Sequence, residues 1–163
     1  SVRIAVIRGN MSEIKHLAGL AAVGRGVDSI ADAAGGEQAA MEVARQIECT
    51  VVITGQTDHI ADRSSIFRID NGHPLLAKVT GTGCMATALI GAFCGVTNNH
   101  LAAAAGGILA MGIAGELAER SLNPGEGLGT FRIRLIDAIS LMTSELLLQH
   151  GKISAIPFER RSL

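Results

Sequence analysis

Thr50-Val51-Val52-Ile53-Thr54, stopped by Gly55, reads as a short buried strand, because β-branched side chains follow one another without a charge. Upstream of it, Ile30 to Glu48 repeats apolar residues at helical spacing through Ala39, Met41, Val43, Ala44 and Ile47, although the Gly35-Gly36 pair weakens the first half. The turn-rich stretch Gly24-Arg25-Gly26-Val27-Asp28-Ser29 separates that helix from a strand–loop–helix unit. There Val2 to Ile7 reads as the strand, Arg8-Gly9-Asn10 breaks it, and Ser12 caps a helix running through Leu17. Two strands joined by a helical crossover form a βαβ unit, whose strands are expected to be parallel with a right-handed connection.

Downstream, Ile66 to Asp70, the turn pair Asn71-Gly72 and Leu75 to Lys78 suggest a small antiparallel excursion. The remainder reads as helices over Cys84 to Val96, His100 to Arg120 and Thr130 to His150, with Asn123-Pro124-Gly125 as a break. One α/β domain over 1–163 is expected. It offers only two convincing parallel strands, fewer than such sheets usually hold, so residue 1 is expected to sit mid-domain.

Of the 163 residues, 48% are hydrophobic, 18% charged and 2% aromatic, with neither Trp nor Tyr. A core can form, but it must be built from small aliphatic side chains at close approach. Stacking on nucleic-acid bases is disfavoured by the lack of aromatics, and a net charge of −1 with scattered basic residues argues against nucleic acid or an anionic membrane as partner. The only basic cluster is the tail Glu159-Arg160-Arg161-Ser162-Leu163. The three cysteines, Cys49, Cys84 and Cys94, lack metal-ligand or paired spacing, which fits a reducing cytoplasm. From Val79 to Gly115 there is no Asp, Glu, Lys or Arg. Gly81-Thr82-Gly83 opens this stretch and Thr97-Asn98-Asn99-His100 interrupts it, leaving apolar runs shorter than the ~20 residues of a membrane span, so buried helices are expected. The first residues show no secretory signal.

The strongest chemical signal is Val79-Thr80-Gly81-Thr82-Gly83-Cys84 running straight into a helix. Glycines let backbone N–H groups converge on an anion and a helix N-terminus adds partial positive charge, so this is a candidate anion hole; a plain tight turn is the alternative. It is not a Walker A motif, since no Lys-Ser/Thr pair follows. Both strand ends, Ile7-Arg8-Gly9-Asn10 and Ile53-Thr54-Gly55, carry polar residues at the edge where open α/β sheets bind ligands. Asn10 and Glu13 put an amide and a carboxylate at a helix start, able either to hold Mg²⁺ through oxygen or to cap the helix. Arg8 could grip a phosphate or serve as a surface ion-pair partner, and Thr54 could bond nucleotide or end its strand. Cys84, in the first helical turn, could contact or deprotonate a substrate hydroxyl, or be a small hydrophobe.

Taken together, Ile7-Arg8-Gly9-Asn10-Met11-Ser12-Glu13-Ile14, Val52-Ile53-Thr54-Gly55-Gln56-Thr57-Asp58 and Val79-Thr80-Gly81-Thr82-Gly83-Cys84 resemble the successive signatures of the hydroxyethylthiazole kinase family. Gly129-Thr130-Phe131 leading to Leu135-Ile136-Asp137-Ala138 resembles its last helix. The resemblance implies a ribokinase-like three-layer α/β/α fold and transfer of the ATP γ-phosphate, with Mg²⁺, to the alcohol of 4-methyl-5-(2-hydroxyethyl)thiazole in thiamine biosynthesis. By that similarity Arg8, Thr54 and Asn10 serve ATP, Glu13 the metal and Gly81 the thiazole alcohol. Thr82, Gly83 and Cys84 complete the anion hole, with Cys84 where most ribokinase-like enzymes carry Asp. Members of the family have a substantial segment before the Arg-Gly-Asn loop, bearing further strands and helices, and they resemble trimers with sites between subunits. The chain is therefore expected to correspond to the C-terminal portion, working as a homotrimer or with that segment supplied. The competing expectations are a non-catalytic nucleotide-binding or structural fragment, or another ribokinase-like small-molecule kinase.

Overall fold

β1 (Val6–Asn10) lies parallel to β2 (Thr50–Thr54), with Ile7 opposite Val51, Gly9 opposite Ile53 and Asn10 opposite Thr54. The expected pairing is present, but the first strand is displaced towards Asn10. In the computed structural model, which describes residues 3–17 and 33–156, Arg8-Gly9-Asn10 is strand rather than a strand-breaking loop. Gly9 explains why: a Cβ there would stand 3.0 Å from Glu13 Oε2 and 3.2 Å from Ile14 Cδ1. The glycine lets the following helix fold back onto its own strand while the ladder with β2 continues to Thr54.

That helix is α1 (Met11–Leu17). Its N-cap is Asn10, not Ser12. Asn10 Oδ1 accepts from Glu13 N at 2.9 Å and Glu13 Oε2 accepts from Asn10 N at 2.7 Å, a reciprocal capping box in which Asn stands for the usual Ser or Thr. The crossover helix α2 (Ala33–Ile47) ends before Glu48, whose φ of 59° is left-handed. The loop at 24–29, residues 30–32 of the expected helix, Val2 and the basic tail at 159–163 lie outside the described residues.

Beyond β2 come β3 (Asp58–Ala61) and β4 (Ile66–Ile69), and β5 (Ile153–Ile156) completes a five-stranded sheet of order β1-β2-β3-β4-β5. β3 is antiparallel to β2, with Ile53 opposite His59, so the sheet is mixed. The turn from β3 to β4 is closed by Asp62 Oδ1, which accepts from the backbone N–H groups of Ser64 and Ser65, each at 2.8 Å.

The chain divides into two compact units, Ser1–Arg68 with Ser154–Leu163, and Ile69–Ile153. In the first, α1 and α2 cover one face of the strands. Ile14, Ala40, Val43 and Ala44 pack with Val51, Ile53, Ala61 and Ile66, and Cys49 is buried among them. Burial pushes the Cys49 thiol up, against a hydrogen bond with the Ile7 backbone.

The second unit is helical. A 3-10 helix (Pro74–Lys78) stands where a returning strand was expected, because Pro74 begins it with fixed φ and His73 Nδ1 accepts from Leu75 N at 3.3 Å. Next follow α3 (Thr82–Cys94), α4 (His100–Arg120), α5 (Leu128–Ser140) and α6 (Ser144–His150). The single helix expected over 130–150 is thus two. Leu141 N and Met142 N close the end of α5 on Asp137 O and Ile139 O, and Thr143 Oγ1 caps α6 by accepting from Leu146 N at 3.3 Å. α4 has the bounds expected from sequence; at 21 residues it is by length and composition long and apolar enough to cross a membrane, against the expectation that its apolar run falls short, yet most of it is buried. Its glycines admit neighbours closely, among them the Phe93 ring, which a Cβ on Gly106 would meet at 2.8 Å. A Cβ on Gly107 would lie 2.6 Å from Ile90 N and 2.7 Å from Ile90 Cα, so α3 and α4 touch backbone to side.

Candidate active site

In the first unit the ladder register puts Arg8, Asn10, Val52 and Thr54 on one face of the β1–β2 pair, because side chains alternate along a strand. Ile7, Val51 and Ile53 point the other way, into the core under α1 and α2. The consequence is direct contact between two expected ligand residues. Arg8 Nη2 donates to Thr54 Oγ1 at 2.8 Å, and Thr54 Oγ1 reaches Gly9 O at 3.4 Å. Holding one arm of the guanidinium in this way fixes its plane, the feature that lets arginine grip planar oxygen pairs. Arg8 Nε is buried and makes no hydrogen bond among the described residues. A buried donor without an acceptor is costly, and an anionic oxygen would satisfy it.

The loop after β2 is tied down by its own chemistry: Asp58 Oδ1 accepts from Gly55 N at 2.9 Å. Sequence reading had taken Asp58 as part of a motif without a role. Its role is to hold the Gly55-Gln56-Thr57 turn beside Thr54 as the chain reverses into β3.

Asn10 and Glu13 are brought together, but by the capping box described above. That arrangement uses Glu13 Oε2. Among the described residues no group of three or more His, Cys, Asp or Glu side chains is gathered as a metal cage. A carboxylate such as Glu13, with Oε2 alone engaged by a hydrogen bond among the described residues, suits Mg²⁺, which dehydrates reluctantly and is usually held by one or two carboxylates, water and substrate phosphates.

The second unit holds the glycine turn. Gly81 has φ 96° and is the N-cap of α3 without a capping side chain, and Met85 N donates to Gly81 O at 2.9 Å to begin the helix. Among the described residues, its chain neighbours aside, no atom lies within 4 Å of a Cβ built on Gly81, so backbone conformation and not space demands glycine there. The first N–H groups of a helix have no intrahelical acceptor, and here they belong to Gly81, Thr82, Gly83 and Cys84. Gly81 and Cys84 are exposed, Thr82 and Gly83 half-buried. The Thr82 hydroxyl faces back into the chain, 2.9 Å from Leu76 O and 3.1 Å from Val79 O.

A model of the hydroxyethylthiazole kinase family matches residues 1–145, nearly the whole chain. The chain belongs to that family.

Hydroxyethylthiazole kinase from Alkaliphilus oremlandii (strain OhILAs) is 44% identical over 156 residues, an alignment covering 95% of this chain and 58% of the relative. The enzyme of Clostridium beijerinckii is 46% identical over 160 residues, with the same coverage of each chain. A solved structure of the hydroxyethylthiazole kinase protein from Pyrococcus horikoshii OT3 superimposes with a TM-score of 0.78 at 32% identity, covering 94% of this chain and 56% of that one. The chain spans a little over half the length of the relatives it matches. The α/β fold expected from the resemblance is therefore shared with a hydroxyethylthiazole kinase of known structure.

Within that family frame, the side chain that sequence reading missed is Glu116 of α4. It is buried and accepts from Asn71, Gly72 and Lys152. The signal was available in a single carboxylate following a long uncharged run, a placement that requires partners.

Proposed function

We propose that the protein containing this chain phosphorylates the alcohol of 4-methyl-5-(2-hydroxyethyl)thiazole with ATP, in the cytoplasm and in the service of thiamine synthesis. The observation that carries this reading is the Arg8 guanidinium, braced by Thr54 at 2.8 Å with its buried Nε open to an anionic acceptor. Family membership supplies the direction in which to read it, since the relatives bear the name of this kinase.

In this reading Arg8 and Thr54 hold the nucleotide's phosphate oxygens, with Asn10 alongside them. Glu13 would hold Mg²⁺, directly or through a bound water, and the ion would supply charge neutralisation on the phosphates. Gly81 takes the thiazole alcohol, and the N–H groups of Thr82, Gly83 and Cys84 receive the equatorial oxygens of the transferred group. The alcohol oxygen forms a bond to the γ-phosphorus as the bond to the departing ADP oxygen breaks, and the hydroxyl proton leaves to Cys84 or to water. Phosphoryl transfer needs little covalent help from the protein and depends on positioning and fixed donors, so a thiol at this position is chemically adequate. A homotrimer, or assembly with a further segment, would complete the site.

Titration calorimetry with Mg-ATP tests the nucleotide half. Saturable binding that weakens by about tenfold or more in Arg8→Ala, the loss of a charge-assisted hydrogen bond, is expected. Equal binding by Arg8→Ala would remove Arg8 from the site.

A further inference from the structure

Gly81 has φ 96°, and among the described residues, its chain neighbours aside, no atom lies within 4 Å of where a Cβ would be. Side-chain packing therefore does not enforce its shape. A glycine so placed is free to leave that conformation unless hydrogen bonds on either side hold it. One such bond is the first of the helix, Met85 N to Gly81 O at 2.9 Å. The other is made by Thr82, whose Oγ1 lies 2.9 Å from Leu76 O and 3.1 Å from Val79 O.

A hydroxyl carries one hydrogen, and here it is shared between two carbonyls, so it is not available as a donor to a ligand. The bond to Val79 O spans the three residues that make the turn. The bond to Leu76 O ties the turn to the 3-10 helix, where Leu76 O also accepts from Val79 N at 3.4 Å. Leu76 packs closely on the buried helix α4: a Cβ on Gly115 would stand 2.7 Å from Leu76 Cδ1, so the leucine side chain would have to give way. Thr82 thus adds a side-chain tie between the turn, which the backbone bonds of Val79 N and Met85 N also hold, and the 3-10 helix.

We infer that Thr82 is a positioning residue: its side chain contacts no substrate, and its hydroxyl, bound to Leu76 O and Val79 O, sets the backbone N–H groups of residues 81–84 for the transferred phosphoryl group. The catalytic use of the turn rests on the kinase reading; the fixing of the turn does not.

The test compares Thr82→Val, which keeps the shape and removes the hydroxyl, with Thr82→Ser, which keeps the hydroxyl. In the ligand-free protein, ¹⁵N order parameters for Gly81 and Gly83 are expected near ~0.85 in the wild type and Thr82→Ser, and towards ~0.6 in Thr82→Val. With Mg-ATP and thiazole, kcat of Thr82→Val is expected to fall about tenfold or more with KM little changed, because mispositioned donors are felt in the transition state, and Thr82→Ser is expected to restore it. Unchanged order parameters in Thr82→Val would overturn the inference. So would full kcat in Thr82→Val, or a Thr82→Ser protein as slow as Thr82→Val. A wild-type protein without thiazole-dependent turnover would strike the kinase reading and the catalytic use of the turn together, and the order parameters would still decide whether Thr82 holds it.

Discussion

Glu116 and Lys152 meet at 3.0 Å, on a carboxylate oxygen that also accepts from Asn71 Nδ2 and Gly72 N, each at 3.0 Å. Asn71 in turn donates to His150 O at 2.9 Å and accepts from Lys152 N at 2.6 Å. Three stretches distant in sequence, the residues after β4, the C-terminal part of α4 and the end of α6 with the residues that follow it, are pinned at one buried carboxylate. Burial alone would raise the Glu116 pKa, but the donors from Gly72, Lys152 and Asn71 outweigh it and hold the carboxyl below its ordinary value.

The sign of the pH dependence follows. A carboxyl depressed in the folded state binds fewer protons there than in the unfolded chain, so it contributes stability that is fully present above the ordinary carboxylate range and lost as pH falls through the folded value. Thermal unfolding from neutral to acid pH is expected to show a steeper loss in the wild type than in Glu116→Gln, with Glu116→Gln less stable by about 1–3 kcal/mol at neutral pH. Parallel curves for the two proteins would contradict this.

Glycines of α3 and α4 separate by what stands beside them. Gly107→Ala is expected to destabilise by about 1–3 kcal/mol or more, because the new Cβ meets the Ile90 backbone. Gly91→Ala, in the interior of α3, where among the described residues outside the helix's own backbone nothing stands within 4 Å of a new Cβ, is expected to stabilise by about 0.5–1 kcal/mol through reduced backbone entropy. Urea unfolding midpoints at constant m-value measure both.

Glu13→Gln separates capping from metal binding. Glutamine still accepts from Asn10 N, so stability is expected to change little, whereas Asn10→Ala is expected to lose about 1 kcal/mol with the cap. If Glu13 serves Mg²⁺, half-maximal turnover in Glu13→Gln will require more Mg²⁺; an unaltered metal dependence would assign Glu13 to capping alone.

Cys84→Ala is expected to leave Mg-ATP affinity nearly intact while lowering turnover, since Cys84 is an exposed side chain in the first turn of α3. Unchanged turnover would take its side chain out of the reaction.

Much of this arrangement was legible in the residues themselves. The uncharged β-branched run at 50–54 marked a buried strand, and the long uncharged stretch before Glu116 marked α4 as buried, whereas α3, expected to be buried with it, buries only Ala86 and Ile90. The strand β3 was not legible, because Asp58-His59-Ile60-Ala61 is four residues long and begins with polar side chains, too short for alternation to show. Arg8-Gly9-Asn10 looked like a break because glycine weakens strands in general, whereas Gly9 is there to admit Glu13 and Ile14. The interruption at 141–143 contains neither Gly nor Pro, and only the Thr143 cap marks it. At the site, the Arg8–Thr54 contact followed from register once the strands were paired, while the inward turn of the Thr82 hydroxyl depended on the 3-10 helix, which sequence had read as a strand.

The most direct test of the kinase reading is ADP release from Mg-ATP, measured with and without 4-methyl-5-(2-hydroxyethyl)thiazole and accompanied by detection of the phosphorylated thiazole. The account predicts release that rises on adding the thiazole, with one phosphorylated thiazole formed for each ADP. ADP release indifferent to the thiazole, or ATP binding with no turnover at all, would contradict it and leave a nucleotide-binding member of the family.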